Sequence, residues 1–212
     1  PCRPGPKAYR WRLRVLKPIA TGRIDMEHEN DVMLDLETMG TGPTAAIIAI
    51  GAVEFDLAAG VIGERFYATI NLASAVHAGG VMDAATVMWW MQQSDAAREA
   101  FASGAEHIAS VLQRFAVWME ARGVDVRVWG NGAAFDNVIL ASAYHRNGTP
   151  PPWQFRNDRC YRTVKALRPG VPPVRVGTPH NAVDDAETQA LHLMALMRPQ
   201  SVVAGGQGAP DA

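Results

Sequence analysis

Residues 32–40 read VMLDLETMG, an apolar strand-like run broken by two carboxylates, Asp35 and Glu37, with Leu36 between them. On a β-strand, side chains i and i+2 project from the same face. Asp35 and Glu37 therefore point together, while Leu34 and Leu36 point the opposite way into packing. Two like charges held side by side raise one another's pKa and oppose folding unless something positive lies between them. A hard divalent cation bound through oxygen supplies that charge, and Mg²⁺ takes a few carboxylates together with substrate phosphate. Taken alone, an Asp-x-Glu at a strand end can equally face water, so its meaning depends on the rest of the chain.

Working outward, 31–36 is predicted as the first strand, 45–55 (AAIIAIGAVEF) as the second and 63–71 (GERFYATIN) as the third. Together they form an antiparallel meander, and the glycine within the second strand permits a bulge or a close backbone approach. Asp83 can cap a helix through ATVMWWMQQ, and Ser94 or Asp95 the next through AAREAFA. Ile108, Val111, Leu112, Phe115 and Trp118 have the 3–4 spacing of an amphipathic helix over 105–121, ended by Gly123. A fourth strand at 125–129 and a helix at 135–145 follow, the latter ended by Asn147-Gly148. Residues 158–167 read as helix, 169–179 (PGVPPVRVGTP) as loop and 181–197 as the last helix. Strands first, then strand–helix alternation, predict an α/β fold with a mixed sheet covered by helices.

The bulk numbers exclude several classes. With 48% hydrophobic and 19% charged residues among 212, the composition is that of a globular domain, not a disordered chain. A net charge of −1 excludes a broadly basic coat for nucleic acid, so any polyanion must be met by local cations. Cys2 and Cys160 lack metal-ligand spacing and suit a reduced, cytoplasmic setting. No uncharged apolar run approaches the roughly 18 residues of a membrane span. Residues 1–30 are basic and Pro-rich without a signal-peptide core, and Met26 lies just ahead of the first strand. They are expected to be an unstructured extension, or alternatively a basic arm that touches nucleic acid. Residues 31–198 are expected to be the working domain and 199–212, Gly-rich, a flexible tail.

Two downstream segments give the opening carboxylates their context. WGNGAAFDNVIL places Asp136 after a strand and a small-residue turn, at a helix start; HNAVDDAETQA places His180 at another helix entrance with Asp184 and Asp185 beyond it. Each acid singly is an ordinary helix-start residue. In this order the set resembles the DEDDh branch of the DEDD 3′–5′ exonucleases, within the ribonuclease H-like superfamily. The carriers are Asp35 and Glu37 in LDLETMG, Asp136 in NGAAFDN, and His180 with Asp185 in the pattern His-x(4)-Asp. The resemblance covers about 32–196 and is nearest to phage-type members described as exonuclease VIII-like or exoribonuclease-like. The His-x(4)-Asp spacing selects Asp185 over Asp184, which is then expected to be an exposed helix-start acid.

What the resemblance implies is a phosphodiester hydrolase that removes nucleoside 5′-monophosphates from the 3′ ends of single-stranded DNA or RNA. It implies two Mg²⁺ or Mn²⁺ ions about 3.5–4 Å apart. Asp35 would bridge both, Glu37 and Asp185 would complete one site, and Asp136 would help to hold the other. His180 would be the general base, a role an imidazole can fill at neutral pH. Thr38, Met39 and Gly40 would seat the terminal nucleotide, with Met39 packed on a base or sugar. Of Trp89 and Trp90, at most one can stack on a base, because adjacent helical residues diverge by about 100°. The cations at 156, 159, 162, 165 and 168 recur every third residue, and Arg159 and Arg162 are expected on substrate phosphates. His28, His77, His107, His145 and His192 lack such context and are expected to be structural. The alternatives are an enzyme for very short oligonucleotides and a catalytically silent nucleic-acid-binding module. The latter would be expected to have lost a carboxylate, and none is missing. Relatives often dimerise, and the apolar Met/Trp-rich helices could support a homodimer or serve a monomer's core, so the sequence leaves the oligomeric state open.

Overall fold

Alternation along the first strand divides the molecule into two packed halves. In the computed structural model, which describes residues 30–198 apart from Ser103, strand β1 spans Asp31–Thr38. Its residues Val32, Leu34 and Leu36 enter one apolar cluster and Met33 enters a second, on the other face. The basic N-terminal segment and the Gly-rich tail, with the expectations attached to them, lie outside the described residues.

β2 (Ile47–Asp56) and β3 (Val61–Thr69) complete the antiparallel meander. β4 (Arg127–Gly130) and β5 (Asp158–Cys160) add on the other side of β1, both parallel, giving the order β3-β2-β1-β4-β5. Central strands buried on both faces need apolar residues throughout, which is why β2 reads IIAIGAVEF without strict alternation.

Helices cover both faces. α1 (Leu72–His77), α2 (Ala84–Trp90), α3 (Asp95–Ala102), α4 (Ile108–Glu120) and α5 (Asp136–Arg146) lie on the side of Leu34. α6 (Tyr161–Leu167) and α7 (Ala182–Met197) cover the side of Met33 with Tyr161, Ala186, Ala190 and Leu193. Caps fall where the chain chemistry puts them. Asp83 accepts from the Thr86 amide at 2.7 Å, Ser94 Oγ from that of Ala97 at 3.2 Å, and Asn181 from Val183 and Asp184. No described helix is long and apolar enough to cross a membrane.

Two elements depart from the expectation. The segment 158–167 is not one helix: Asp158–Cys160 pairs with β4 before α6 begins. Asp158 is held in that edge strand by Trp153 Nε1 at 2.8 Å and by Asn137 Nδ2 at 2.8 Å, the latter a contact from another element that overrides local helix propensity. Helix α1 is absent from the expectation because its six residues carry too little periodicity; Asn71 caps it by accepting from Ser74 N at 3.0 Å.

Candidate active site

The acids converge at the carboxyl ends of the parallel strands, where α/β sheets leave a crevice. Asp35 and Glu37 project from β1 on the α7 side. β4 ends at Gly130, and an added Cβ there would lie 2.3 Å from Asn137 Oδ1, so only glycine lets the first turn of α5 press against the strand. That approach brings Asp136, 2% exposed, to β1, where its Oδ1 accepts the Leu36 amide at 3.3 Å. The fourth acid comes from α7. Glycine again sets its approach, since a Cβ at Gly51, opposite Asp35 in the β1–β2 register, would lie 2.1 Å from the carbonyl carbon of Ala182.

His180 precedes α7 with φ +63°, the single non-glycine in the left-handed region among the described residues. Such a conformation costs about 1 kcal/mol or more and persists where the surroundings hold it. Asp185 Oδ2 accepts the His180 amide at 3.0 Å. Asp184 accepts the Thr178 amide at 2.7 Å and lies beneath Gly177, where an added Cβ would come within 2.2 Å of its carboxyl carbon. Asp184 is therefore a partly buried fastener of this loop, contrary to the expectation of an exposed acid. Glu37, His180 and Asp185 each offer a ligand atom within 4.8 Å of the others'. Asp35 and Asp136 lie outside that triplet but within its electrostatic reach.

Electrostatics make the cluster costly by itself. Burial, with the neighbouring charges of Asp136, Glu37 and Asp185, pushes the Asp35 carboxyl well above the usual range. Burial and then Asp185 and Asp136 raise Glu37 to about 8. Asp136 is raised to about 7 by burial, opposed by backbone amides including those of Leu36 and Asn131. Its Oδ2 is buried without a hydrogen-bond partner. An orphaned carboxylate oxygen among mutually repelling acids is what a divalent cation satisfies, and the oxygen-rich donor set fits Mg²⁺ or Mn²⁺.

A pH dependence follows with a definite sign. Between the unfolded pKa values near 4 and the folded values of about 7 and 8, the native state holds protons that the unfolded chain has released. Raising pH through that window therefore destabilises the metal-free protein. Its melting temperature in EDTA is expected to be roughly 5 °C or more lower at pH 8 than at pH 5. Mg²⁺ should raise it more at pH 8. A flat or rising profile in EDTA would contradict this electrostatic picture.

Beside the acids lies a cavity of about 510 Å³ lined by Glu37, Thr38, Gly40, Trp89, Trp90 and Phe135, among others. Trp90 is buried and donates Nε1 to the Thr38 carbonyl at 2.9 Å, so its ring is structural. Trp89 remains 41% exposed, with its ring edge-on to His180 at 5.0 Å. Met39 does not line this cavity: its side chain is 7% exposed within the hydrophobic core. The β-bulge between Glu37 and Thr38 shifts the register at the strand end, which strand alternation alone does not foresee. Arg162 lies against Gly132, beside Asp136. Arg159 instead sits on β5 opposite Trp129, donates to the Arg156 and Asp158 carbonyls and is close enough to influence Asp31. The two arginines part because 158–160 is a strand rather than a helical turn.

Three participants carry no motif. Gln189 Nε2 donates to Asp35 Oδ1 at 2.7 Å; its position four residues after Asp185, on the same helix face, is the signal that could have found it. Arg175 pairs with Asp185 and bonds the Thr178 carbonyl, from a loop with no periodicity to read. Asn137 ties α5 to β4 through the Val128 carbonyl at 3.0 Å.

A family model described as the 3′-5′ exoribonuclease Rv2179c-like domain matches residues 30–197. An exodeoxyribonuclease of Enterobacteria phage T4 is 27% identical over 122 residues, covering 52% of this chain and 53% of that protein. The chain thus spans about half the length of the curated relative it matches. E. coli exonuclease I in complex with a dT13 oligonucleotide superposes with a TM-score of 0.59 at 14% identity, over 79% of this chain and 41% of that one. The nuclease domain of 3′hExo, a DEDDh family member bound to rAMP, gives 0.56 at 14% identity, over 81% and 93%. At such identities the two structures speak for the fold, which is that of the ribonuclease H-like DEDDh nucleases.

Proposed function

Because the chain belongs to the 3′-5′ exoribonuclease Rv2179c-like domain family, we propose that it hydrolyses single-stranded RNA or DNA from the 3′ end, releasing nucleoside 5′-monophosphates. The observation that carries this reading is the convergence of Asp35, Glu37, Asp136 and Asp185 from three separate elements, with one oxygen of Asp136 buried and unpartnered. Such a cluster is unfavourable until cations and a phosphate complete it.

Those four carboxylates would hold two Mg²⁺ or Mn²⁺ ions, which supply neutralisation of phosphate charge and a water acidified towards neutral pH. The remaining steps fall to the chain's own residues. His180, with a ring nitrogen within 4.8 Å of carboxylate oxygens of Glu37 and Asp185, would accept the proton of the attacking water. Gln189 fixes one oxygen of Asp35 and so its orientation. Thr38, whose hydroxyl donates to the Gly40 carbonyl at 2.7 Å, shapes the turn that receives the terminal nucleoside. Exposed Trp89 offers a face for its base, a contact worth roughly 1–3 kcal/mol in single-strand binders.

The reading demands a free end. Linear RNA and DNA strands should be consumed in Mg²⁺, while circular strands of the same sequence and strands ending in a 3′-phosphate persist. Equal loss of circular and linear strands would identify an endonuclease and reject the proposal.

A further inference from the structure

A second cavity, of about 590 Å³, includes Asn131, from the loop that leads into α5 and Asp136. The nucleoside cavity takes Phe135 from that loop and this one takes Asn131, together with Arg162, which is close enough to Asp136 to act on its charge. Arg162, Lys165 and Arg168 supply its charge, and no carboxylate lines it. On a continuous helix a row spaced by three residues drifts around the cylinder. α6, however, stops at Leu167, and Arg168 leaves it with φ −133° and ψ 60°, joining the other two on one cavity. Pro169, Pro172 and Pro173 contribute the facing wall, with φ fixed by their rings.

These cations differ from those tied up in carboxylate pairs. Arg65 is bound to Glu187 and Arg122 to Glu54 and Glu64, whereas Arg162, Lys165 and Arg168 are exposed with no carboxylate partner among the described residues. In a chain of net charge −1, three unpaired cations gathered beside a strongly acidic cluster offset the repulsion an incoming polyanion meets there. The geometry points to a binding site for backbone phosphates of the strand on the 5′ side of the scissile bond. This inference rests on the exonuclease reading and adds a consequence to it. The chain favours strands several nucleotides long over dinucleotides, because a dinucleotide has no further phosphates to place in the cavity.

The test compares a ten-nucleotide strand with a dinucleotide of the same 3′ sequence, using the full chain and its K165Q/R168Q variant. The double substitution is expected to lower kcat/KM on the decamer about tenfold, mainly through KM, and to change that on the dinucleotide less than twofold. The slope of log affinity for the decamer against log salt should flatten by about 1.4, two contacts at roughly 0.7 each. R156Q, which removes an equal kind of charge outside the cavity, should alter neither substrate. Equal losses on both lengths, or an unchanged decamer, would overturn the inference.

Binding of a fluorescent decamer in EDTA, followed by anisotropy, reads the cavity without hydrolysis. Weakened binding in the double variant upholds the strand site even if no 3′ end is cleaved, the result that would instead reject the exonuclease reading. Adenosine monophosphate displacing the decamer at comparable concentration would mark a free-nucleotide site and overturn it.

Discussion

Replacing Asp35 by asparagine is expected to lower kcat/KM on a ten-nucleotide strand by at least about a thousandfold while raising the melting temperature of the metal-free protein. Both effects have one origin. Asp35 stands among Asp136, Glu37 and Asp185, whose charges all push its carboxyl up, and Asp185 and Asp136 push up Glu37 as well. The amide keeps the shape of the carboxylate and can still accept from Gln189 Nε2, so the sheet is undisturbed. What disappears is one charge of a repelling set, a relief on the order of 1–2 kcal/mol, or several degrees. The same charge is what a divalent cation needs, and single losses in a cooperating catalytic set cost factors of this size or more. Steady-state kinetics in Mg²⁺ and calorimetry in EDTA read the two effects separately. Activity within tenfold of the parent, or a lower melting temperature, would count against the cluster as a metal-binding centre.

Gly51→Ala is expected to destabilise the protein by about 3 kcal/mol or more and to reduce activity about a hundredfold, although Gly51 touches no substrate. Its new methyl group would meet Ala182 carbonyl carbon at 2.1 Å and Val183 nitrogen at 2.2 Å, both backbone atoms at the start of α7. Neither can turn aside as a side chain would, so helix and strand must part. The displaced turn is bracketed by His180 on one side and Asp185 on the other, with Gln189 one turn further along. Misplacement of catalytic groups by about 1 Å costs on the order of 10²-fold. Urea unfolding gives the stability change directly. A variant within 1 kcal/mol of the parent would mean that α7 is not seated through this contact.

How far the amino-acid sequence carried these conclusions depends on the range of the interaction that decides each feature. Alternation over 32–38 identifies the two faces of β1 because packing at i and i+2 is local, and the antiparallel meander follows from strands separated by short turns. His180 and Asp185 were legible as a pair, and the structure supplies a reason for the spacing: the His180 amide bonds the Asp185 carboxylate. Gly51 was readable as a close approach, but not what approaches it. Features set by distant partners were not legible. β5 depends on its pairing with β4 and on Asn137, Met39 turns into the core after a bulge, and Arg159 and Arg162 separate because a strand intervenes. Arg175 reaches Asp185 from a loop whose course no periodicity describes.

Asp136 sits at the N-terminus of α5, where the helix dipole and backbone amides favour negative charge, yet burial keeps its carboxyl raised to about 7. Stability is given up at the carboxyl ends of β1 and β4, and recovered from the two apolar clusters on either side of the sheet.

The most direct test of the central claim is a time course with a 5′-labelled ten-nucleotide single strand, resolved on a sequencing gel with mass analysis of the small products. In Mg²⁺ the expected result is a ladder shortening one nucleotide at a time from the 3′ end with release of nucleoside 5′-monophosphates, and no cleavage in EDTA. Internal cuts as the first products, 3′-monophosphates, or equal cleavage in EDTA would contradict it.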